Sequence, residues 1–231
     1  MSSKDLEILL YRHKLNQLTL IELLPTLSKA TITHLIRDLT NLGSPTTSQT
    51  PMPATAPDNT VYIFTDGNCK RNGKAGSKGG YAVFFTDDQD SPFHNLNYSS
   101  LVAKDPTNQK AELLAMLKVF EIIQEHQNLF SDKPIMIVSD SMYSIKCLSE
   151  WYKNWIKNDW KTSKGEPVKN DMIIKRIVAI RDTLGPLVNN IKFKHIHSHT
   201  VCPANRDSKE YFLWYGNDRV DKMINDMLTK P

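Results

Sequence analysis

Hydrophobic and polar positions mark out the chain from Val61 onward, where the unbroken apolar run Val61-Tyr-Ile-Phe64 predicts a strand buried on both faces. β-Branched and aromatic side chains suit a pleated surface, and a run without alternation suits a strand covered on each side. The strand is expected to end at Asp66 and to open into turns supplied by Gly67, Asn68, Asn72, Gly73, Gly76 and Gly79-Gly80. Gly80–Thr86 and Phe93–Val102 read as two further strands, parted by the turn-like Thr86–Pro92, and three strands in succession make an antiparallel meander. Asn108–His126 places Ala111, Leu114, Ala115, Val119, Ile122 and Ile123 at helical spacing and carries Glu112 in its first turns. Pro134–Ser139 is a short apolar strand that runs into Asp140. Asp171–Leu184 reads as an amphipathic helix, and Ile191–Ser198 as an alternating strand that delivers His195, His197 and His199 near its end. Gly216 opens the last helix, with Asp218 and Asp221 on one face near its N-terminus.

Ahead of this stretch, residues 1–42 read as a small helical segment. Ile32, Leu35, Ile36, Leu39 and Leu42 recur at helical spacing, Ser28 or Thr31 can cap the start, and Gly43 suits the stop. The pattern from Leu18 to Leu39 resembles a helix-turn-helix, with Pro25 as a departure; a bundle or hairpin that docks a partner is the other reading. Residues 43–60, rich in Pro, Ser and Thr, have little with which to form a core and read as a flexible linker, leaving 61–231 as the main domain.

Composition narrows the class without naming it. With 231 residues, 40% hydrophobic and 23% charged, the chain can bury one sizeable core plus a small appendage. A net charge of +4 is too mild to identify a partner, so the placement of basic residues has to carry that argument. Cys69, Cys147 and Cys202 are an odd number with no metal-ligand spacing, which favours an intracellular, reducing compartment, whether cytoplasm, nucleus or organelle. No apolar run approaches membrane-spanning length, so no membrane partner is expected.

Two aspartates at strand ends, Asp66 and Asp140, are the first chemical signal, although either alone is an ordinary turn residue. Glu112 at a helix start is equally ordinary by itself, since an acid there complements the helix dipole. Trp151, Trp155 and Trp160 interleave with Lys153, Lys157, Lys161 and Lys164. Ammonium groups meet phosphates while rings pack on sugars or bases, so such a stretch suits a nucleic-acid groove; packing on the domain is the plainer role for at least one tryptophan. The three histidines invite zinc, but spaced along one strand face they stand far apart, and no cysteine cluster completes a site.

Taken together, residues 61 to about 228 resemble a type 1 ribonuclease H. The matching motifs are Thr65-Asp-Gly-Asn-Cys69 with Asn72-Gly73, Thr107-Asn-Gln-Lys-Ala-Glu112-Leu, Ser139-Asp-Ser-Met-Tyr143, the Trp151/Trp155/Trp160-Lys-Thr-Ser163 stretch, Ser198-His-Thr200 and Gly216-Asn-Asp-x-x-Asp221. The resemblance implies an α/β fold whose five-stranded mixed sheet, three antiparallel strands and then two parallel ones, is flanked by helices. It implies an endonuclease that hydrolyses the RNA strand of RNA–DNA hybrids with weak sequence preference, leaving 5′-phosphate and 3′-hydroxyl ends. Asp66, Glu112, Asp140 and Asp221 take the places of the metal-binding carboxylates, and His199 that of the active-site histidine. Gly67, Asn68, Cys69, Asn108 and Gln109 fall on the RNA-strand contacts. Tyr143, Trp151, Trp155 and Ser163 line the DNA-strand channel, Asn72, Thr107 and Asn170 the phosphate contacts, and Trp160, Lys161 and Lys164 the basic protrusion.

Independent chemistry supports such a set. Four converging carboxylates repel one another unless cations neutralise them, and hard oxygen ligands select Mg2+ or Mn2+. Two such ions can activate water on one side of a phosphodiester and stabilise the departing oxygen on the other. The 2′-hydroxyl is what separates RNA from DNA. Residues 201–215 form a longer connection than the family usually has between its histidine and last helix, and the glycine that often follows the histidine is missing, so His197 rivals His199. A monomer is expected, with residues 1–42 left for a nucleic-acid or protein partner. The alternatives are a binding module that holds hybrids without cutting them, and a retroelement-type domain of a larger replication complex.

Overall fold

The computed structural model describes residues 59–198 and 200–229. The chain divides into two units, Met1–Pro51 and Met52–Pro231, and the sheet and helices that follow belong to the second. The helical segment expected over residues 1–42 and nearly all of the linker over 43–60 lie outside the described residues.

Five strands form one mixed sheet in the order β3-β2-β1-β4-β5. They are β1 (Val61–Lys70), β2 (Lys78–Phe84), β3 (Tyr98–Leu101), β4 (Ile135–Ser139) and β5 (Ile191–His195). β1 pairs antiparallel with β2 and β2 with β3, whereas β1–β4 and β4–β5 are parallel. The three-plus-two sheet expected from the motifs is therefore the one observed. Among the described residues the helices are α1 (Asn108–Glu125), α2 (Gln127–Phe130), α3 (Met142–Lys146), α4 (Tyr152–Lys157), α5 (Asp171–Thr183) and α6 (Lys209–Thr229), with a π-helical turn, Cys147–Trp151, joining α3 to α4. None of them is long and apolar enough to cross a membrane.

Alternation along the central strand explains the two-sided burial. Val61 and Ile63 face a core shared with α1 and α5, through Leu113, Phe120, Ile174 and Ile177. Tyr62 and Phe64 face the opposite core, shared with Tyr211, Val220 and Ile224 of α6. A period-two side-chain pattern on a strand covered on both faces leaves no polar position in the run, as the sequence shows.

Several boundaries differ from the sequence reading, three of them by the widest margins. β1 does not stop at Asp66 but continues to Lys70, because Gly67, Asn68 and Cys69 pair with Tyr81, Gly80 and Gly79 of β2. Cross-strand pairing overrides the turn preference of Gly and Asn, and the turn itself falls at Arg71, Gly73 and Gly76, all at positive φ. β3 is confined to Tyr98–Leu101; Phe93 precedes it in a helical turn and stacks on Phe85, centroids 6.0 Å apart. Gly216 does not open the last helix, which begins seven residues earlier at Lys209, so Asp218 and Asp221 sit in its middle and half of the expected loop 201–215 is helical. The Ser208 hydroxyl accepts the Tyr211 N–H at 3.1 Å and caps this early start.

Candidate active site

The parallel register of β1 and β4 ends with Thr65 opposite Ser139. The next residues of the two strands, Asp66 and Asp140, therefore stand side by side where β4 stops. α1 brings the third acid, and it comes close because residue 67 has no side chain. A Cβ on Gly67 would lie 2.2 Å from the Glu112 nitrogen and 2.3 Å from the Ala111 carbonyl carbon. α1 is started by Thr107, whose hydroxyl accepts the Lys110 N–H at 3.2 Å. Carboxylate oxygens of Asp66, Glu112 and Asp140 all lie within 4.8 Å of one another.

Crowding and burial make this cluster electrostatically costly. Burial, joined by the neighbouring Asp140 and Asp221, pushes the Asp66 carboxyl up to about 7, even though the Gly67 N–H, 2.7 Å from Oδ1, pulls the other way. Burial also drives Glu112 well above the ordinary glutamate range, with Asp66 and Asp140 adding to it. Glu112 Oε2 is buried without a hydrogen-bond partner. A buried carboxylate with an orphaned oxygen, set beside two other acids, is what a divalent cation would satisfy, and an all-oxygen donor set fits a hard ion. The residues present therefore fit a divalent-metal centre.

Asp221 joins from α6. It lines the same cavity of about 340 Å3, and it accepts a hydrogen bond from Asn225 at 3.0 Å. Its oxygens fall outside the tight cluster of three. α6 reaches this position because Gly216 rests on the ring of Phe64, where a Cβ would sit 2.2 Å from Cζ. A clamp reinforces it: Tyr215 and Arg219 of α6 both donate to Asp87 beyond β2, at 2.6 Å from the Tyr215 hydroxyl and from Arg219 Nε.

Next to the acids, Gly67, Asn68 and Asn108 border the cavity. Asn108 Oδ1 accepts the Cys69 N–H at 2.8 Å, and the Asn108 N–H donates to Asn72 at 3.3 Å, so these three expected contacts form one connected unit. The Cys69 thiol is buried, near Pro106 O at 3.3 Å, and with its N–H given to Asn108 the residue acts by holding Asn108 in place. Gln109 is exposed on the first turn of α1.

The tryptophan stretch forms a continuous aromatic ridge. Tyr143–Trp151, Trp151–Trp155 and Trp155–Trp160 centroids are 6.1, 5.8 and 6.5 Å apart. All four rings are partly buried against the core, so they pack as well as present a surface. Burial pushes the Tyr143 hydroxyl up to about 12, opposed by a hydrogen bond with Asn170. Lys161, Ser163 and Lys164 are exposed, and Lys175 lies over the Trp160 ring at 4.8 Å.

His199 lies outside the described residues. His195 and His197 are not spread along one strand face, because β5 ends at His195; their rings meet edge to face with centroids 5.3 Å apart. His195 Nε2 is 3.1 Å from the Asp140 carbonyl oxygen, so that nitrogen carries the proton it donates. Sequence reasoning gave His195 no role. The signal available was its place as the last strand residue level with Ser139.

A family model for RNase H matches residues 58–228. The chain belongs to the RNase H family. Similar relatives include a ribonuclease H of Schizosaccharomyces pombe, 34% identical over 63% of this chain and 49% of that protein. A ribonuclease H of Ruthia magnifica is 30% identical over 74% of this chain and 97% of that protein. The chain thus spans about half the length of the Schizosaccharomyces pombe relative. The solution structure of the PFV RNase H domain superposes with a TM-score of 0.51 at 17% identity, covering 72% of this chain and 92% of that one, which shows the shared fold. The RNase H motifs read from the sequence accordingly map onto β1, α1, the β4 end and α6, and the centre they form is of the divalent-metal kind that the family uses.

Proposed function

We propose that this RNase H domain is an endonuclease that hydrolyses the RNA strand of RNA–DNA hybrids, with two Mg2+ or Mn2+ ions held by Asp66, Glu112, Asp140 and Asp221. The observation that carries the reading is the convergence of Asp66, Glu112 and Asp140 within 4.8 Å at the edge of a cavity that Asn68 and Asn108 also border. Bound divalent ions would supply an activated water and stabilisation of the leaving oxygen. The chain's own residues do the rest.

Gly67, Asn68, Asn108 and Gln109 hold the ribose side of the RNA strand and read its 2′-hydroxyl, with Cys69 holding Asn108 in place. Asn72, Thr107 and Asn170 take phosphates; Tyr143, Trp151, Trp155 and Ser163 pack along the DNA strand. Trp160, Lys161 and Lys164 add charge and surface at the protrusion. His199 moves a proton at the leaving oxygen, a task an imidazole performs near neutral pH. A domain that only holds hybrids would have no use for so much confined negative charge, which argues against the binding-only reading. Residues 1–42 add affinity for a nucleic acid or a protein partner rather than chemistry.

The test is cleavage of a hybrid labelled on its RNA strand by wild type, Glu112→Gln and His199→Ala, each with magnesium and with EDTA. Magnesium-dependent cutting of RNA by wild type, lost in Glu112→Gln and reduced in His199→Ala, is expected. Cleavage that persists in EDTA, or equal cleavage by wild type and Glu112→Gln, contradicts the proposal.

A further inference from the structure

The catalytic cavity has one wall that its chemistry does not require. Besides acids, amides and hydroxyls, it is lined by Trp214, the aromatic residue among its described neighbours. Trp214 belongs to the turns by which α6 starts early, at Lys209, and so to the stretch 201–215 that departs from the family pattern.

The ring is held from two sides. Its indole N–H donates to the Thr200 carbonyl at 3.0 Å, and its ring packs at a tilt against Tyr211, centroids 5.7 Å apart and planes 34° apart. Tyr211 itself is fully buried, capped in place by Ser208, so it makes a firm backing. With its polar atom engaged and part of its ring packed against Tyr211 and the adjoining core, what Trp214 contributes to the cavity is apolar ring surface. A rigid neutral ring beside carboxylates has little to offer a phosphate. It suits the C–H face of a sugar, and Asn68 and Asn108, the residues assigned to the ribose side, border the same cavity.

We infer that Trp214 is an added substrate-contact residue: its ring packs against a ribose of the RNA strand next to the catalytic acids, and the early start of α6 serves to deliver it. The inference rests on the hybrid-cleaving function proposed above and adds to it a contact that determines affinity rather than chemistry. Stacking of an aromatic ring on a base is worth about 5- to 150-fold in affinity when truncated to alanine, which bounds a sugar contact from above, and being uncharged such contacts release no counterions.

Steady-state cleavage of a hybrid by wild type, Trp214→Ala, Trp214→Leu and Trp214→Phe, repeated over a range of salt concentrations, tests this. Both Trp214→Ala and Trp214→Leu are expected to raise KM about 5- to 100-fold while kcat stays within about threefold. The salt dependence of affinity should keep its slope, and Trp214→Phe, which keeps one aromatic ring while losing the N–H and the second ring of the indole, should stay well below the Leu variant in KM. If Trp214→Ala does not fold, Trp214→Leu, which fills much of the same space against Tyr211, decides the question alone. An unchanged KM in the folded Ala or Leu variant overturns the inference while leaving the cleavage function standing. A loss in Trp214→Phe as large as in Trp214→Leu also overturns it, because an aromatic ring at this place would then add nothing over an aliphatic side chain. Wild type that leaves the hybrid intact overturns the proposed function and this contact together.

Discussion

Gly67 and Glu112 approach so closely that a single methyl group on residue 67 would overlap the backbone nitrogen of residue 112, at 2.2 Å. That close approach lets α1 lie against β1 and sets the acid of the helix beside the acid of the strand. Gly67→Ala meets main chain rather than a movable side-chain tip. It is expected to cost about 2–3 kcal/mol, at the upper end for overpacking, and to separate Glu112 from Asp66. Urea unfolding measures the first effect and hybrid cleavage the second; an alanine variant that matches wild type in both contradicts the close-approach argument.

The raised carboxyls make stability depend on pH and cations in a definite direction. Asp66 has its folded value raised to about 7 from an ordinary 3.8, and Glu112 is shifted the same way. Between those values the folded state keeps a proton that the unfolded state has released, so this contribution to stability is fully present below about pH 4 and is lost as pH rises toward 7. Asp66→Asn removes part of the repulsion. In EDTA the variant should melt above wild type by about 2–6 °C at pH 8, roughly 1–2 kcal/mol for a domain of this size. The gap should shrink at pH 5 and close or reverse in saturating Mg2+ or Mn2+, which stabilises wild type by binding its folded state. Melting curves over pH 5–8 with and without cation check it, and a gap independent of pH counts against the cluster.

Asp87 behaves oppositely. Burial pushes its carboxyl up, but hydrogen bonds from Arg219 and Tyr215 outweigh burial and hold it below the ordinary value. The stability it adds is present above its unfolded pKa and lost as pH falls through the lower folded one. Asp87→Ala leaves Arg219 without its partner and should cost about 1.5–3 kcal/mol at neutral pH, the range for hydrogen bonds to charged groups. Because the clamp holds α6, the variant should also need more Mg2+ for half-maximal cleavage. Chemical denaturation and a magnesium titration read the two effects.

For the basic stretch, charge and ring packing separate by salt. Replacing Lys161 and Lys164 together by alanine should weaken hybrid binding and lower the slope of log affinity against log salt by about 0.7–0.9 for each phosphate no longer neutralised. Stability should barely change, since both side chains are exposed. Trp155→Ala should instead cost stability as well as affinity, because its ring leans on the core between Trp151 and Trp160. Binding isotherms at several salt concentrations distinguish the two.

Much of the fold was legible because period and chemistry agree. The run Val61–Phe64 has no polar position and lies between two cores; Asn108–Glu125 and Asp171–Thr183 keep helical spacing from end to end. The three clustered acids were legible through their motif context, since each follows or opens a recognisable element. What local sequence hides is pairing. Gly67 and Asn68 look like a turn until β2 is placed beside them, and Phe93 looks like a strand residue until Phe85 and Phe130 are seen to hold its ring. The early start of α6 had a signal in Ser208, a helix cap three residues before Tyr211, but Gly216, a residue that disfavours helix interiors, reads as a boundary and masked it. Trp214 was missed for the same reason.

The central claim, that Asp66, Glu112, Asp140 and Asp221 share one divalent-cation site, is tested most directly by titrating Mn2+ into metal-free protein and following the loss of the free-ion electron paramagnetic resonance signal. Wild type should show saturable binding that Asp66→Asn and Asp140→Asn each weaken at least tenfold while both variants remain folded. Equal Mn2+ uptake by wild type and the two folded variants would contradict the shared site.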